Sequence, residues 1–370
     1  MHHSTLIKTQ ISANIGQITL CRPKALNALS LEMVRALYQT LRAWQENPEV
    51  EAVAIRGSNK EGPFGAFCAG GDIRFFYNAG IAQDPALESF FSEEYALNHL
   101  IFNYPKPYLA FMDGIVMGGG MGIAQGASLR IVTERSKLAM PETNIGLFPD
   151  VGGGYFLSRC EGALGEYLAL TGQLLTGSEA ISAGLADAFC GSSQLTELWD
   201  SLTADNSESV ANRIQSLRHR LQAPKYNHQK PTWFDDEIDH CFNQPSINAI
   251  FDALSNSNSP LASASLDVLQ KRSPLMLYVT LKQIRLGRDL SLADNLRMER
   301  TLVHHCFNTT HLGRTGVDSE TVEGIRALVI DKDHNPNWKP AKIDQVTAEM
   351  VDPFFISPWP EQKHPLAHLK

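Results

Sequence analysis

Short apolar runs that each end in a loop of small residues constrain this chain more than any other feature of its sequence. Ala52-Val53-Ala54-Ile55-Arg56-Gly57 reads as a strand and is followed by Phe67-Cys68-Ala69-Gly70-Gly71-Asp72. Tyr108-Leu109-Ala110-Phe111-Met112 reads as another and runs into Asp113-Gly114-Ile115-Val116-Met117-Gly118-Gly119-Gly120-Met121-Gly122, ahead of Leu129-Arg130-Ile131-Val132-Thr133. Upstream, Gln17-Ile18-Thr19-Leu20 alternates like a strand, and Ser30 is placed to cap a helix whose apolar period continues to Trp44. Strand, loop and helix repeated at these lengths predict an α/β core in which the loops after strands build the site.

Beyond about residue 195 the alternation fades and helical periodicity takes over, as in Pro274 to Leu286 and Leu292 to Cys306. The expectation is a core over residues 5–195 and a mainly helical region over 196–370 that packs on it. Polar stretches near 204–210, 223–231 and 255–260 read as loops between helices. The chain of 370 residues is 43% hydrophobic, enough for a sizeable core. A net charge of −8 argues against nucleic acid as a partner. Six scattered cysteines without a CxxC pair fit a reducing compartment and no metal site. The start, with His2 and His3, lacks a basic region followed by an apolar run, and no stretch reaches eighteen apolar residues, so a soluble cytoplasmic protein is expected.

The two glycine clusters, Ala69-Gly70-Gly71-Asp72 and Met117-Gly118-Gly119-Gly120, each follow a strand. Glycine permits unusual dihedrals and close approach, so two convergent N–H groups could hold a carbonyl oxygen as its charge develops. Either cluster by itself could equally serve a turn or tight packing. Neither forms a dinucleotide fingerprint or a phosphate loop.

Taken in order, Arg22-Pro23-Lys24-Ala25-Leu26-Asn27-Ala28-Leu29, Phe67 to Ile73, Asp113 to Gly120 and Met140-Pro141-Glu142 resemble the crotonase (enoyl-CoA hydratase/isomerase) superfamily. The resemblance implies a spiral of ββα repeats, followed here by a helical C-terminal region, that binds acyl-CoA. It implies an oxyanion hole from the N–H groups of Gly71 and Gly119. Lys24, Ala25, Leu26, Ala69, Gly70, Asp72, Ile73, Arg74, Asn78, Met117 and Gly118 would line the acyl-CoA site. Lys24 and Arg74 could meet CoA phosphates or be solvated surface, and Asp72 could fix the loop or touch substrate.

Hydratases of this superfamily carry a catalytic glutamate two residues after the triple glycine, where this chain has Gly122. Their second acidic position is filled by Glu142, and Asp150 lies in Gly146-Leu147-Phe148-Pro149-Asp150-Val151-Gly152-Gly153-Gly154. That pairing resembles the 3-hydroxyisobutyryl-CoA hydrolases, as do Arg272-Ser273-Pro274, Met298-Glu299 and the stretch from Glu323 to Pro340. The implied activity is hydrolysis of a short branched 3-hydroxyacyl-CoA thioester, with Glu142 as nucleophile or general base and Asp150 orienting substrate or sharing the proton. Read without the resemblance, Asp150 is also a plausible helix cap and Glu142 a capping or surface carboxylate. Asn78 departs from the pattern, because hydrolases can carry glutamate there. No cofactor or metal is implied, CoA entering with the substrate, and a trimer or hexamer is a possible assembly. The competing readings are enoyl-CoA hydration or isomerisation, and a non-catalytic relative that binds CoA.

Overall fold

A computed structural model describes residues 5–204, 208–221 and 236–370. His2, His3 and the expected loop at 223–231 lie outside the described residues. Two compact units interleave along the chain. The first comprises the described residues within Met1–Gly71, Leu97–Ala139 and Leu174–Lys230, the second those within Asp72–Ala96, Met140–Gln173 and Pro231–Lys370.

The first unit is built on a sheet of six strands in the order β1 (Ile7–Ser12), β2 (Ile15–Leu20), β3 (Ala52–Gly57), β4 (Tyr108–Met112), β6 (Leu129–Val132) and β9 (Ala188–Phe189). β1 and β2 form a hairpin across Ala13 and Asn14, both at positive φ as a tight hairpin turn needs. From β2 onward every neighbour is parallel. Parallel strands need crossovers, and the helix Leu31–Glu46 supplies the first, starting where the Ser30 side chain accepts from Met33 N. A second sheet joins β5 (Ile115–Met117), β7 (Lys137–Ala139) and β8 (Leu175–Thr176).

Leu195, Leu198, Trp199 and Leu202, spaced as one helical stripe, pack with Val210, Leu217 and Leu221 onto Ile15, Ala54, Phe111 and Ile131 of the larger sheet. The first helices beyond residue 195 therefore belong to the unit that holds this sheet. Their apolar stripe removes the sheet's face from water, and sequence position alone does not report that.

The second unit is almost wholly helical, as the periodicity after residue 195 predicts. Pro274–Gly287 and Leu292–Phe307 are its longer helices, and the loop between Ser255 and Pro260 falls where expected, between Ile247–Asn256 and Pro260–Leu269. Glycine allows the close approaches: a Cβ on Gly287 would lie 2.2 Å from Gly154 O, and one on Gly324 would lie 2.3 Å from the Ile145 carbonyl carbon.

Candidate active site

In the first unit the two glycine clusters lie side by side. Cys68 and Val116 form a parallel bridge, with Cys68 N donating to Ile115 O at 2.9 Å and Met117 N to Cys68 O at 3.0 Å. Gly71 and Gly119 thus stand at matching positions beyond that bridge. A Cβ on Gly70, at φ +105°, would lie 3.3 Å from Met117 O and 3.6 Å from Gly119 N. Gly118, at φ 48° and ψ −120°, occupies backbone space that side chains avoid. Gly119 begins the helix Gly119–Gln125, so its N–H has no partner within that helix. Among the described residues neither Gly71 N nor Gly119 N donates a backbone hydrogen bond.

The segment after Arg22 is drawn to the same place. Pro23–Ala25 is a single 3-10 turn that ends at Leu26, which with Asn27 sits at positive φ. Asn27 is fully buried and holds the turn: its Oδ1 accepts from Arg22 N at 2.8 Å, and its Nδ2 donates to Ser58 O and Ala66 O at 2.8 Å each. Ala69 N donates to Leu26 O at 3.0 Å and Leu29 N to Gly70 O at 2.7 Å. Lys24 and Leu26 are left exposed.

In the second unit Asp72 caps the helix Ile73–Ala82, its Oδ1 accepting from Phe75 N at 3.2 Å. That is the loop-fixing role. Arg74 and Asn78 project from this helix as exposed side chains, with Ile73 half-buried.

Glu142 and Asp150 both lie inside the second unit, 8% and 5% exposed. Asp150 does not cap a helix with its side chain: the short helix Gly153–Leu157 starts from Gly152 with no side-chain cap bond. Asp150 Oδ2 instead accepts from the Tyr95 hydroxyl at 2.7 Å. Glu142 opens a 3-10 turn, and its Oε2 is buried without a partner among the described residues. It is therefore not a surface carboxylate.

Burial pushes the Asp150 carboxyl up to about 6, against the pull of the Tyr95 hydrogen bond. Glu142 is pushed well above the usual carboxylate range by burial first and by the charge of Asp150 second. Two further buried carboxyls share this interior. Glu94, with Oε1 unpartnered, is raised by burial and by Asp150. Glu299 is pushed up to about 8 by burial, opposed by the N–H groups of Gly152 and Gly154 that bond to it. Every hydrogen bond to Glu299 comes from an N–H, which is the pattern of an ionised carboxylate. Like charges this close disfavour full ionisation, so the group holds its protons more tightly than isolated carboxyls do. Such a set can accept and return a proton next to a reacting centre.

Glu94, Tyr95 and the bonding of Glu299 escape a reading by motif. A signal exists in each helix: Glu94 falls on the stripe of Phe90, Phe91 and Tyr95, and Glu299 on that of Leu296 and Val303. A carboxylate on an apolar stripe calls for a partner or a function. Among the described residues no group of three or more His, Cys, Asp or Glu side chains is arranged to hold a metal ion. No helix among them is long and apolar enough to cross a membrane.

A family profile described as enoyl-CoA hydratase/isomerase matches residues 15–355. The chain is 41% identical over 349 residues to a Gallus gallus protein, 94% of this chain and 87% of that one, named 3-hydroxyisobutyryl-CoA hydrolase, mitochondrial. The Homo sapiens protein of the same name is 41% identical, with 92% and 86% covered. Among solved structures, a carnitinyl-CoA dehydratase from Mycobacterium thermoresistibile superposes with a TM-score of 0.83 at 34% identity, covering 96% of this chain and 98% of that one. An enoyl-CoA hydratase from Rhodobacter sphaeroides 2.4.1 does so with a TM-score of 0.82, also at 34% identity and with the same coverage.

Proposed function

Because the chain belongs to the 3-hydroxyisobutyryl-CoA hydrolase family within the enoyl-CoA hydratase/isomerase superfamily, we propose that it hydrolyses the thioester of 3-hydroxyisobutyryl-CoA, as a step of valine catabolism. The single observation that carries this reading is the buried pair Glu142 and Asp150, one with a free oxygen and the other held by Tyr95.

Thioester hydrolysis needs an attack on the carbonyl carbon, a home for the charge that develops on oxygen, and departure of CoA. Gly71 N and Gly119 N are the donors assigned to the oxygen, and loss of one such donor typically costs about 3–4 kcal/mol of transition-state stabilisation. Glu142 attacks as nucleophile or draws a proton from water, its unpartnered Oε2 being the oxygen available for either. Asp150 orients the substrate hydroxyl or water and shares the proton; Glu94, buried beside these groups, is a second acceptor for a 3-hydroxyl. Lys24, Ala25, Leu26, Ala69, Gly70, Met117 and Gly118 are assigned to the acyl-CoA, with Lys24 exposed to reach phosphate. Asp72, Ile73, Arg74 and Asn78 keep a place in that assignment, Asp72 through the cap it forms. No step draws on a metal or a cofactor other than CoA.

Hydration is the second reading, favoured by the names of the two superposed proteins. Against it stands Gly122, buried in the helix Gly119–Gln125 where the paired-acid pattern calls for glutamate. Thiol release from 3-hydroxyisobutyryl-CoA, run beside loss of enoyl absorbance on crotonyl-CoA, separates the two. Fast hydration without thiol release rejects hydrolysis; CoA binding with neither reaction supports a non-catalytic relative. Among the described residues no disulfide joins any of the six cysteines. The cytoplasm is the compartment this reading assigns, although the curated relatives are named mitochondrial. A trimer or hexamer is the assembly to test by light scattering.

A further inference from the structure

The backbone around Asp150 is held in an unfavourable conformation. Val151 sits at φ +54°, left-handed space that a β-branched residue rarely adopts, and Gly152 follows at +89°. Such a conformation persists only where the surroundings over-determine it. Glu299, on the helix Leu292–Phe307, supplies that determination: its Oε2 accepts from Gly152 N at 2.7 Å and its Oε1 from Gly154 N at 2.9 Å. Asn295 Nδ2 donates to the same Oε1 at 2.7 Å, and Gln283 Nε2 bonds Pro149 O at 2.6 Å. A Cβ on Gly154 would come within 2.7 Å of Asn295 Oδ1 and 3.2 Å of Glu299 Oε1. On the other side, the Tyr95 hydroxyl, fully buried, fixes Asp150 Oδ2 at 2.7 Å.

We propose that Tyr95 and Glu299 are the positioning residues of Asp150, Tyr95 orienting the carboxylate through one oxygen and Glu299 clamping the strained backbone that carries it. This goes beyond the hydrolase reading and rests on it for the assignment of Asp150 to the chemistry. Only Tyr95 acts on the proton of Asp150 directly: it donates to the charged form and stabilises it, whereas Glu299 acts through the backbone it holds at Gly152 and Gly154. The other groups facing Asp150 are Glu94, Glu142 and Cys306, none of them a cation.

The test compares the full-length wild type with Tyr95→Phe and Glu299→Gln, recording kcat and KM across pH. It also titrates the Asp150 carboxylic C=O stretch by infrared difference spectroscopy against Asp150→Asn, a readout that does not need turnover. Tyr95→Phe is expected to move the acid limb and the infrared titration upward by about half to one pH unit, and Glu299→Gln to move them by less than that. In both, kcat should fall roughly tenfold or more while KM changes by less than about threefold. Gly154→Ala keeps the Glu299 carboxyl but displaces the clamp, so kcat falls while the limb stays. It carries the Glu299 arm if Glu299→Gln does not fold. An infrared titration that Tyr95→Phe leaves unmoved, or a kcat retained in Glu299→Gln with only the melting temperature lowered, overturns the proposal. A wild type that releases no thiol overturns the hydrolase reading instead, and the infrared titrations still decide the positioning.

Discussion

Asp150 is a destabilising residue held in place by one strong hydrogen bond. Its carboxyl is pushed up to about 6 by burial, from about 3.8 in an unfolded chain. Below pH 3.8 both states are protonated and the residue costs nothing. Between 3.8 and 6 folding takes up a proton, so stability falls as pH rises, and above 6 the loss is complete. Asparagine keeps an oxygen to accept from Tyr95 and carries no charge. Asp150→Asn should therefore raise stability relative to wild type by an amount that grows from pH 4 to pH 6 and reaches about 3 kcal/mol at most. Urea unfolding at the two pH values measures this; a constant difference removes the titration of Asp150 from the account. In the same variant, and in Glu142→Gln, turnover should drop by roughly two to four orders of magnitude with folding intact. Near-normal thiol release in either excludes that residue from the mechanism.

At the scale of elements, the glycine clusters work because Cys68 and Val116 pair in a parallel, hydrogen-bonded bridge that brings the two backbones together. Gly120 shows how little room is left: a Cβ there would stand 2.2 Å from Cys68 O, a backbone atom that cannot swing away. Gly120→Ala should cost about 3 kcal/mol in denaturant unfolding. Gly184, at φ +73° but with nothing within 4 Å of a Cβ, is the control, and alanine there should cost only the left-handed strain of about 1–2 kcal/mol. Equal losses at the two sites contradict the close approach. The strand and helix pattern around these glycines was legible in the sequence because alternation, turn residues and the Ser30 cap are local signals. The strand β1, with a largely exposed surface, carries no such pattern and emerges only as the partner of β2.

For the whole molecule, buried carboxyls and buried ion pairs pull stability in opposite directions with pH. Glu320, raised by burial to about 7, adds to Asp150 a loss of stability as pH rises from about 4.5 to 7. Glu88 behaves in the reverse sense. Burial opposes its charge, but His304 and Arg300 outweigh that and hold it at about 2, so its contribution is present above 4.5 and lost as pH falls toward 2. The urea midpoint of wild type is expected to be higher near pH 5 than at pH 8 and to fall again below pH 4. A midpoint rising steadily to pH 8 refutes the assignment of raised carboxyls to the interior.

The α/β first half, the helical second half, the two glycine clusters and the pair Glu142 and Asp150 were all present in the sequence, since each is a matter of residue type at short spacing. Residue type at short spacing does not report which carboxylates are taken out of water. Glu94 and Tyr95 lie on the helix Pro85–Phe102 and Glu299 on the distant helix Leu292–Phe307, and only tertiary packing brings them around Asp150. Packing also decided that Asp72 caps a helix, that Asp150 does not, and that the helices after residue 195 are divided between two interleaved units. The physical reason is that proton affinity and burial depend on distance through space and on the loss of solvent. A linear pattern encodes neither until the chain has folded.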